Sequence, residues 1–127
     1  MRLSHNFSKV IASLLLIHYC SFIFWLSSQT SLPTPLSFQH QDKVMHLGAY
    51  FILSAFTVNA FRYFIRKNTH LLFSSLIFAS LYGVSDEWHQ SFVTGRFSDV
   101  NDWVADTVGA ILLLTLYHFY RRKKQLN

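Results

Sequence analysis

The chain has 127 residues, of which 51% are hydrophobic, 17% aromatic and 13% charged, with a formal net charge of +5. The charged fraction is about half that of an average soluble domain, so the composition excludes ordinary water-exposed folds and favours lipid as the solvent. The basic residues gather at the ends of apolar runs and no aromatic-basic stripe or glycine-rich loop occurs, which excludes nucleic acid as the partner. The single cysteine, Cys20, lies within an apolar run and offers neither an internal disulfide nor a zinc pattern.

Four apolar runs follow in chain order, with predicted spans at about 10–26, 44–65, 71–92 and 103–120. A hydrocarbon core about 30 Å thick needs roughly 20 helical residues, and only helices or closed barrels satisfy their backbone groups in lipid. These runs lack barrel alternation. The expected fold is therefore all-α, one integral membrane four-helix bundle covering residues 1–127. The first run follows Arg2 and Lys9 in the manner of a signal peptide, but it ends in Phe22-Ile23-Phe24-Trp25-Leu26 without a small-residue cleavage site, so a retained anchor is expected. The connection 27–41 carries Pro33 and Pro35 and reads as irregular loop. Lys67-Asn68-Thr69 reads as a tight turn. The third run reaches membrane length only if its helix continues through Asp86 toward Val93, with the polar residues turned inward.

Orientation follows from the cations. Arg2 and Lys9, then Arg62, Arg66 and Lys67, then Arg121 to Lys124 occupy alternate sides of the runs, leaving Lys43 and Arg96 opposite them. The excess of Lys and Arg in cytoplasmic segments then predicts cytoplasmic N and C termini. Trp25, Trp88 and Trp103 fall at the outer helix ends as interfacial anchors. All six acids, Asp42, Asp86, Glu87, Asp99, Asp102 and Asp106, lie near the outer boundary, an asymmetry that sorting does not explain.

Helical phase gathers them. Asp42, His46 and Tyr50 recur at i, i+4, i+8 on one face of the second helix. Ala79, Gly83, Asp86 and Gln90 share a face of the third, and Asp102, Ala105, Asp106 and Gly109 a face of the fourth. Small residues at this spacing let membrane helices approach closely, so the acids lie on packing faces. Their neutralisation calls for Lys43, Arg96, a histidinium, protonation or a bound divalent cation. A purely structural account has Ser98 or Asn101 as N-cap of the fourth helix, Asp102 complementing its dipole, and Arg96 bridging helix ends. His18 and His118 stand on apolar or aromatic backgrounds and read as packed or snorkelling side chains.

These segments resemble the VanZ-like membrane proteins. The matching stretches are Phe24-Trp25-Leu26-Ser27-Ser28-Gln29, then Asp42-Lys43-x-x-His46 with Tyr50. They continue with Asp86-Glu87-x-His89-Gln90, five residues before Gly95-Arg96, and with Asp102-x-x-x-Asp106-x-x-Gly109. Asp106 stands where the family often has asparagine. The resemblance implies a bacterial inner (plasma) membrane location and a link to resistance against the glycopeptide teicoplanin, and it places the site at the envelope's outer leaflet.

Two classes of function stay open. In the first, an outward-facing site acts on or binds an envelope lipid or lipid-linked precursor headgroup. Its candidate catalytic groups are Asp86, Glu87, His89, His46 and Asp106, and Asp42, Lys43, Tyr50, Gln90, Arg96 and Asp102 bind substrate. Histidine and carboxylates serve acid–base chemistry or hold a hard divalent ion, and Arg96 suits a phosphate. No H-E-x-x-H motif names a zinc site. In the second class, the chain is a non-catalytic membrane partner or structural subunit of an envelope complex, with a second copy of itself among the expected partners.

Overall fold

The computed structural model describes residues 2–31 and 40–126, with side chains from residue 5 onward. Pro33 and Pro35 in the first connection, and the Arg2 side chain, lie outside the described residues. Four helices run in order: α1 (Arg2–Ser27), α2 (Gln41–Phe61), α3 (Asn68–Gln90) and α4 (Val100–Leu126). No strand occurs among the described residues.

The helices overrun or fall short of the apolar runs in telling ways. α1 begins at residue 2 and α4 continues through the basic tail to Leu126, because Lys, Arg and Gln are good helix formers and no glycine or proline stops them. α2 ends at Phe61, four residues short of the apolar run, and its chain turns through Arg62–Phe64. α3 starts one residue after Lys67, so the expected tight turn sits earlier, and it ends at Gln90 before reaching Val93.

Spans His5–Ser27, Gln41–Phe61 and Val100–Leu126 are long and apolar enough to cross a membrane. α3 has 23 residues, about 34 Å of helix, but its serines and acids make it too polar to meet the same standard by composition. Many large apolar side chains point away from the bundle, among them Phe7, Leu14, Ile17, Phe73, Leu81 and Leu116. Lipid as the surrounding solvent accounts for that exposure.

α2 packs most extensively on α4, and α3 also packs on α4. α1 lies against α2, touches α3 more lightly, and its described residues do not reach α4. The interior is built from small side chains: Ala60, Ala79 and Ala110 sit with Leu53 and Tyr50, and the hydroxyls of Ser54, Thr57 and Ser75 are fully buried. The Thr57 hydroxyl donates to the Leu53 carbonyl at 2.9 Å, so it is satisfied within its own helix. Val58, Leu71 and Leu114 form a second apolar cluster.

One contact sets the register of the site. A Cβ on Gly109 would collide with the Leu47 carbonyl oxygen and lie 3.1 Å from its Cα, so α4 crosses α2 backbone to backbone. Only glycine fits there. The crossing holds His46, the residue before Leu47, beside Asp106, one turn before Gly109.

Candidate functional site

The polar residues meet where α1 and α3 end and α2 and α4 begin. Asp86, Glu87 and Asp102 are only 6–7% exposed and Asp106 is fully buried. An ionised side chain deep in a bilayer costs at least about 2.5–3.5 kcal/mol, so each needs compensation.

Lys43 compensates one group of them. Its ammonium donates to Asp102 Oδ1 at 2.7 Å, Asp99 Oδ2 at 2.8 Å and Asp42 Oδ2 at 3.1 Å. Asp42 itself is exposed, so the predicted Asp42–His46–Tyr50 stripe runs from the surface inward. Asp99 caps α4: its Oδ1 accepts the Asn101 backbone N–H at 2.9 Å, displacing Ser98 and Asn101 from the expected capping role. The Asp99 backbone N–H donates to Glu87 Oε2 at 2.7 Å. The hydrogen bond from Lys43, chiefly, holds the Asp99 carboxyl below the usual carboxylate range. Asp99 thus ties α2, α3 and α4 together. Its signal in sequence was an acid just before a helical run.

His46 links this group to a cavity. Its Nδ1 lies 2.9 Å from Asp106 Oδ1, to which it donates in the Nδ1-protonated tautomer. A cavity of about 70 Å³ opens between α1, α2 and α3, lined by His46, Tyr50, Asp86, Gln90, Ser27 and Arg96 with apolar neighbours. That volume holds a few waters or one partly hydrated cation, but not a whole lipid headgroup. Gln90 Nε2 donates to Asp86 Oδ2 at 3.2 Å. The Tyr50 hydroxyl, Arg96 Nε, Glu87 Oε1 and Asp106 Oδ2 are buried without a hydrogen-bond partner among the described residues. Such groups are uncommon in folded proteins and mark places where water, an ion or a ligand completes the set.

The predicted residues therefore divide. His46, Tyr50, Asp86, Gln90 and Arg96 share the cavity, Glu87 and Asp106 flank it, and Lys43, Asp102 and Asp42 form the neighbouring ion network. His89 goes elsewhere. Its ring stacks on Phe24 with centroids 4.3 Å apart, and its Nε2 lies 3.0 Å from Ser28 Oγ. It secures the end of α1, with no described contact to His46 or Asp106. Ser27 and Ser28 belong to the matching stretch 24–29 but carried no site role in sequence, because nothing there says which helix lies against α3. Trp103 is also more than an interfacial anchor, since its indole N–H donates to the Ser80 carbonyl at 3.2 Å and locks α4 to α3.

The chain matches the VanZ/LLP1 family profile over residues 5–121, a stretch that contains every group described here. The protein belongs to the VanZ/LLP1 family. It is also similar to a Schizosaccharomyces pombe protein described as uncharacterized, C11E3.10, with 34% identity over 103 residues. That match takes in 79% of this chain and 60% of the relative, so the chain spans somewhat under two thirds of the yeast protein's length. No solved structure matches at a significant level. This VanZ/LLP1 protein is thus a helical membrane protein whose buried acids collect at one end of its bundle. Chemically, that end offers an oriented imidazole, carboxylates able to bind a cation, and a guanidinium suited to phosphate.

Proposed function

We propose that this protein is a single-domain, four-span membrane protein of the bacterial inner membrane. Both termini are cytoplasmic, and the polar end binds the phosphate headgroup of an envelope lipid or lipid-linked precursor. One observation carries the reading: Arg96 is partly buried at the cavity with its Nε unpartnered, and its Nη2 reaches only the Leu26 carbonyl at 3.5 Å. A guanidinium beside a space too small for a headgroup fits a phosphate docked at the mouth, with the lipid chains remaining in the bilayer. Three findings support the membrane setting: the helix lengths, the outward apolar side chains, and cations gathered at the end opposite the acids. In this reading His46, oriented by Asp106, is the group placed to move a proton. A role in teicoplanin resistance belongs to the same proposal, through competition for or alteration of an outer-leaflet precursor.

The test is to purify the protein in mild detergent and quantify retained lipid by mass spectrometry. Wild type retains about one phosphate-bearing lipid per chain in excess of annular lipid, and Arg96→Ala and Asp86→Asn lose it while remaining folded. Equal retention in all three overturns the headgroup reading. Phospholipid and lipid-linked precursor are separated by the masses found, and turnover of the bound species by purified protein distinguishes catalysis from binding. Orientation is checked on a Cys20→Ser background: Phe97→Cys reacts with an impermeant thiol reagent from outside and Arg122→Cys does not.

A second reading, a non-catalytic partner or homo-oligomer, draws on His18. That side chain is exposed on the outward face of α1, one turn from Ser21, rather than packed within the bundle. A polar group facing lipid favours a neighbouring helix. Crosslinking in membranes that yields monomer alone counts against it.

A further inference from the structure

We infer that the polar end is a binding site for one divalent transition-metal ion, held by the His46 imidazole and the Asp86 and Glu87 carboxylates. The inference goes beyond the headgroup reading and does not depend on it, because metal binding is measured without lipid.

Potential ligand atoms of these three residues all lie within 4.8 Å of one another. Bonds of about 2.0–2.2 Å place neighbouring ligands roughly 3–4 Å apart, so a shift of an ångström or less closes the set around an ion. His46 comes from α2 and the two carboxylates from α3; these helices pack on each other and both pack on α4, whose crossing with α2 is fixed by Gly109 against Leu47. The site is therefore carried by rigid elements.

Two buried groups point to something bound there beyond the cluster itself. Glu87 has one oxygen fixed by the Asp99 N–H at 2.7 Å, while its Oε1 is buried without a partner. That arrangement leaves one oxygen for monodentate ligation. The Tyr50 hydroxyl, 1% exposed, lines the same cavity as His46 and Asp86 and has no hydrogen-bond partner. A metal-bound water in the 70 Å³ cavity would give it one.

Charge balance asks for the same ion. Lys43 is committed to Asp42, Asp99 and Asp102. Among the described residues, Asp86, Glu87 and Asp106 then face only Arg96 and His46 as basic groups. A divalent cation offsets the remainder, and it suits three carboxylates crowded in a medium of low dielectric.

The histidine is also set up as a ligand. With Nδ1 engaged by Asp106 at 2.9 Å, its Nε2 is left to bind metal, and a carboxylate behind a ligating imidazole fixes tautomer and ring orientation. Asp106 is thereby a positioning residue. One imidazole nitrogen with two carboxylate oxygens suits Mn²⁺ or Zn²⁺ better than Ca²⁺, which takes six to eight oxygens.

The experiment uses full-length protein in detergent, stripped with a chelator and titrated with MnCl2, ZnCl2 or CaCl2 by calorimetry. Wild type is expected to bind one Mn²⁺ or Zn²⁺ at least about tenfold more tightly than Ca²⁺. His46→Ala and Glu87→Gln abolish binding, and Asp106→Asn weakens it about 10- to 100-fold. His118→Ala, far along α4, leaves it unchanged. No 1:1 binding by folded wild type, or equal binding by His46→Ala and Glu87→Gln, overturns the site. Should those variants fail to fold by circular dichroism, spin-echo spectroscopy of Mn²⁺-loaded wild type decides the matter. Modulation from one imidazole nitrogen supports the site, and none overturns it. Lipid measured in the same samples separates the two ideas: metal without lipid retires the headgroup reading alone, and lipid without metal retires the metal site alone.

Discussion

The two ends of the bundle carry charge in opposite ways. At the polar end every acid but Asp42, which is exposed and bonds only its neighbour Lys43, is drawn into contacts between helices or with the loop that joins them. Lys43 there bonds three carboxylates at 2.7–3.1 Å. At the other end no acid is available, and cations lie on aromatic rings: Lys9 Nζ is 4.1 Å from the Phe64 centroid and the Arg62 guanidinium 5.1 Å from that of Tyr63. The basic tail of α4 is exposed throughout. The difference teaches that charge in this molecule has two uses. Exposed cations at one end suit contact with phospholipid headgroups and cost little to keep. Buried acids at the other end are expensive, and only a packed, glycine-permitted crossing and a shared ammonium hold them.

Substitutions sharpen that contrast. The largest effect belongs to Gly109→Leu, which forces side-chain atoms into the Leu47 backbone. It should destabilise by about 3 kcal/mol or more, read as loss of helicity at lower denaturant in detergent unfolding. Lys43→Met leaves Asp102 buried and unpaired. A loss of about 2 kcal/mol is expected, less than for a fully buried pair because the Lys43 side chain is 24% exposed. Gly83→Ala comes next, at about 1 kcal/mol, since its Cβ would sit 2.9 Å from Asp106 Oδ2 and push that carboxylate from His46. The same variant should weaken metal binding, which a merely crowded core would not do. At the opposite end Arg62→Ala should cost under about 0.5 kcal/mol, and a loss as large as that of Lys43→Met would break the comparison.

Acid provides a milder probe. The folded-state pKa of Asp99 is depressed by Lys43, so its contribution is present above the ordinary carboxylate range and is lost as pH falls through the folded value. Lowering the pH from about 6 to about 3 should therefore destabilise wild type more than Asp99→Asn, measured by the same unfolding.

Much of this was legible in the residues. Three apolar runs of membrane length and a shorter one announced four helices, and the i, i+4 phase of Asp102 and Asp106 turned both inward as the structure has them. Helix ends were not legible, because hydropathy stops at the membrane while helix-forming Arg, Lys and Gln continue to Leu126. His89 was grouped with the site by its nearness in sequence to Asp86. Its phase places it on the flank of α3 that α1 covers, and a single sequence does not say which helices are neighbours. Asp99 stands in sequence as one of six acids near the outer boundary, with Ser98 or Asn101 offered as the cap, although its place directly before Val100 is that of an N-cap.

The loose attachment of α1 bears on how the chain enters the bilayer. Translation delivers this helix before the other three, and its mean hydropathy of 1.9 is the highest of the three qualifying spans. It can wait alone in lipid. α3 has no such independence: its acids lie beside His46 of α2, and Glu87 gains the Asp99 N–H only when the segment leading into α4 arrives. In chain order, then, the contacts that satisfy the acids of α3 close only as α4 follows it, and the polar end is the last part of the bundle to be completed.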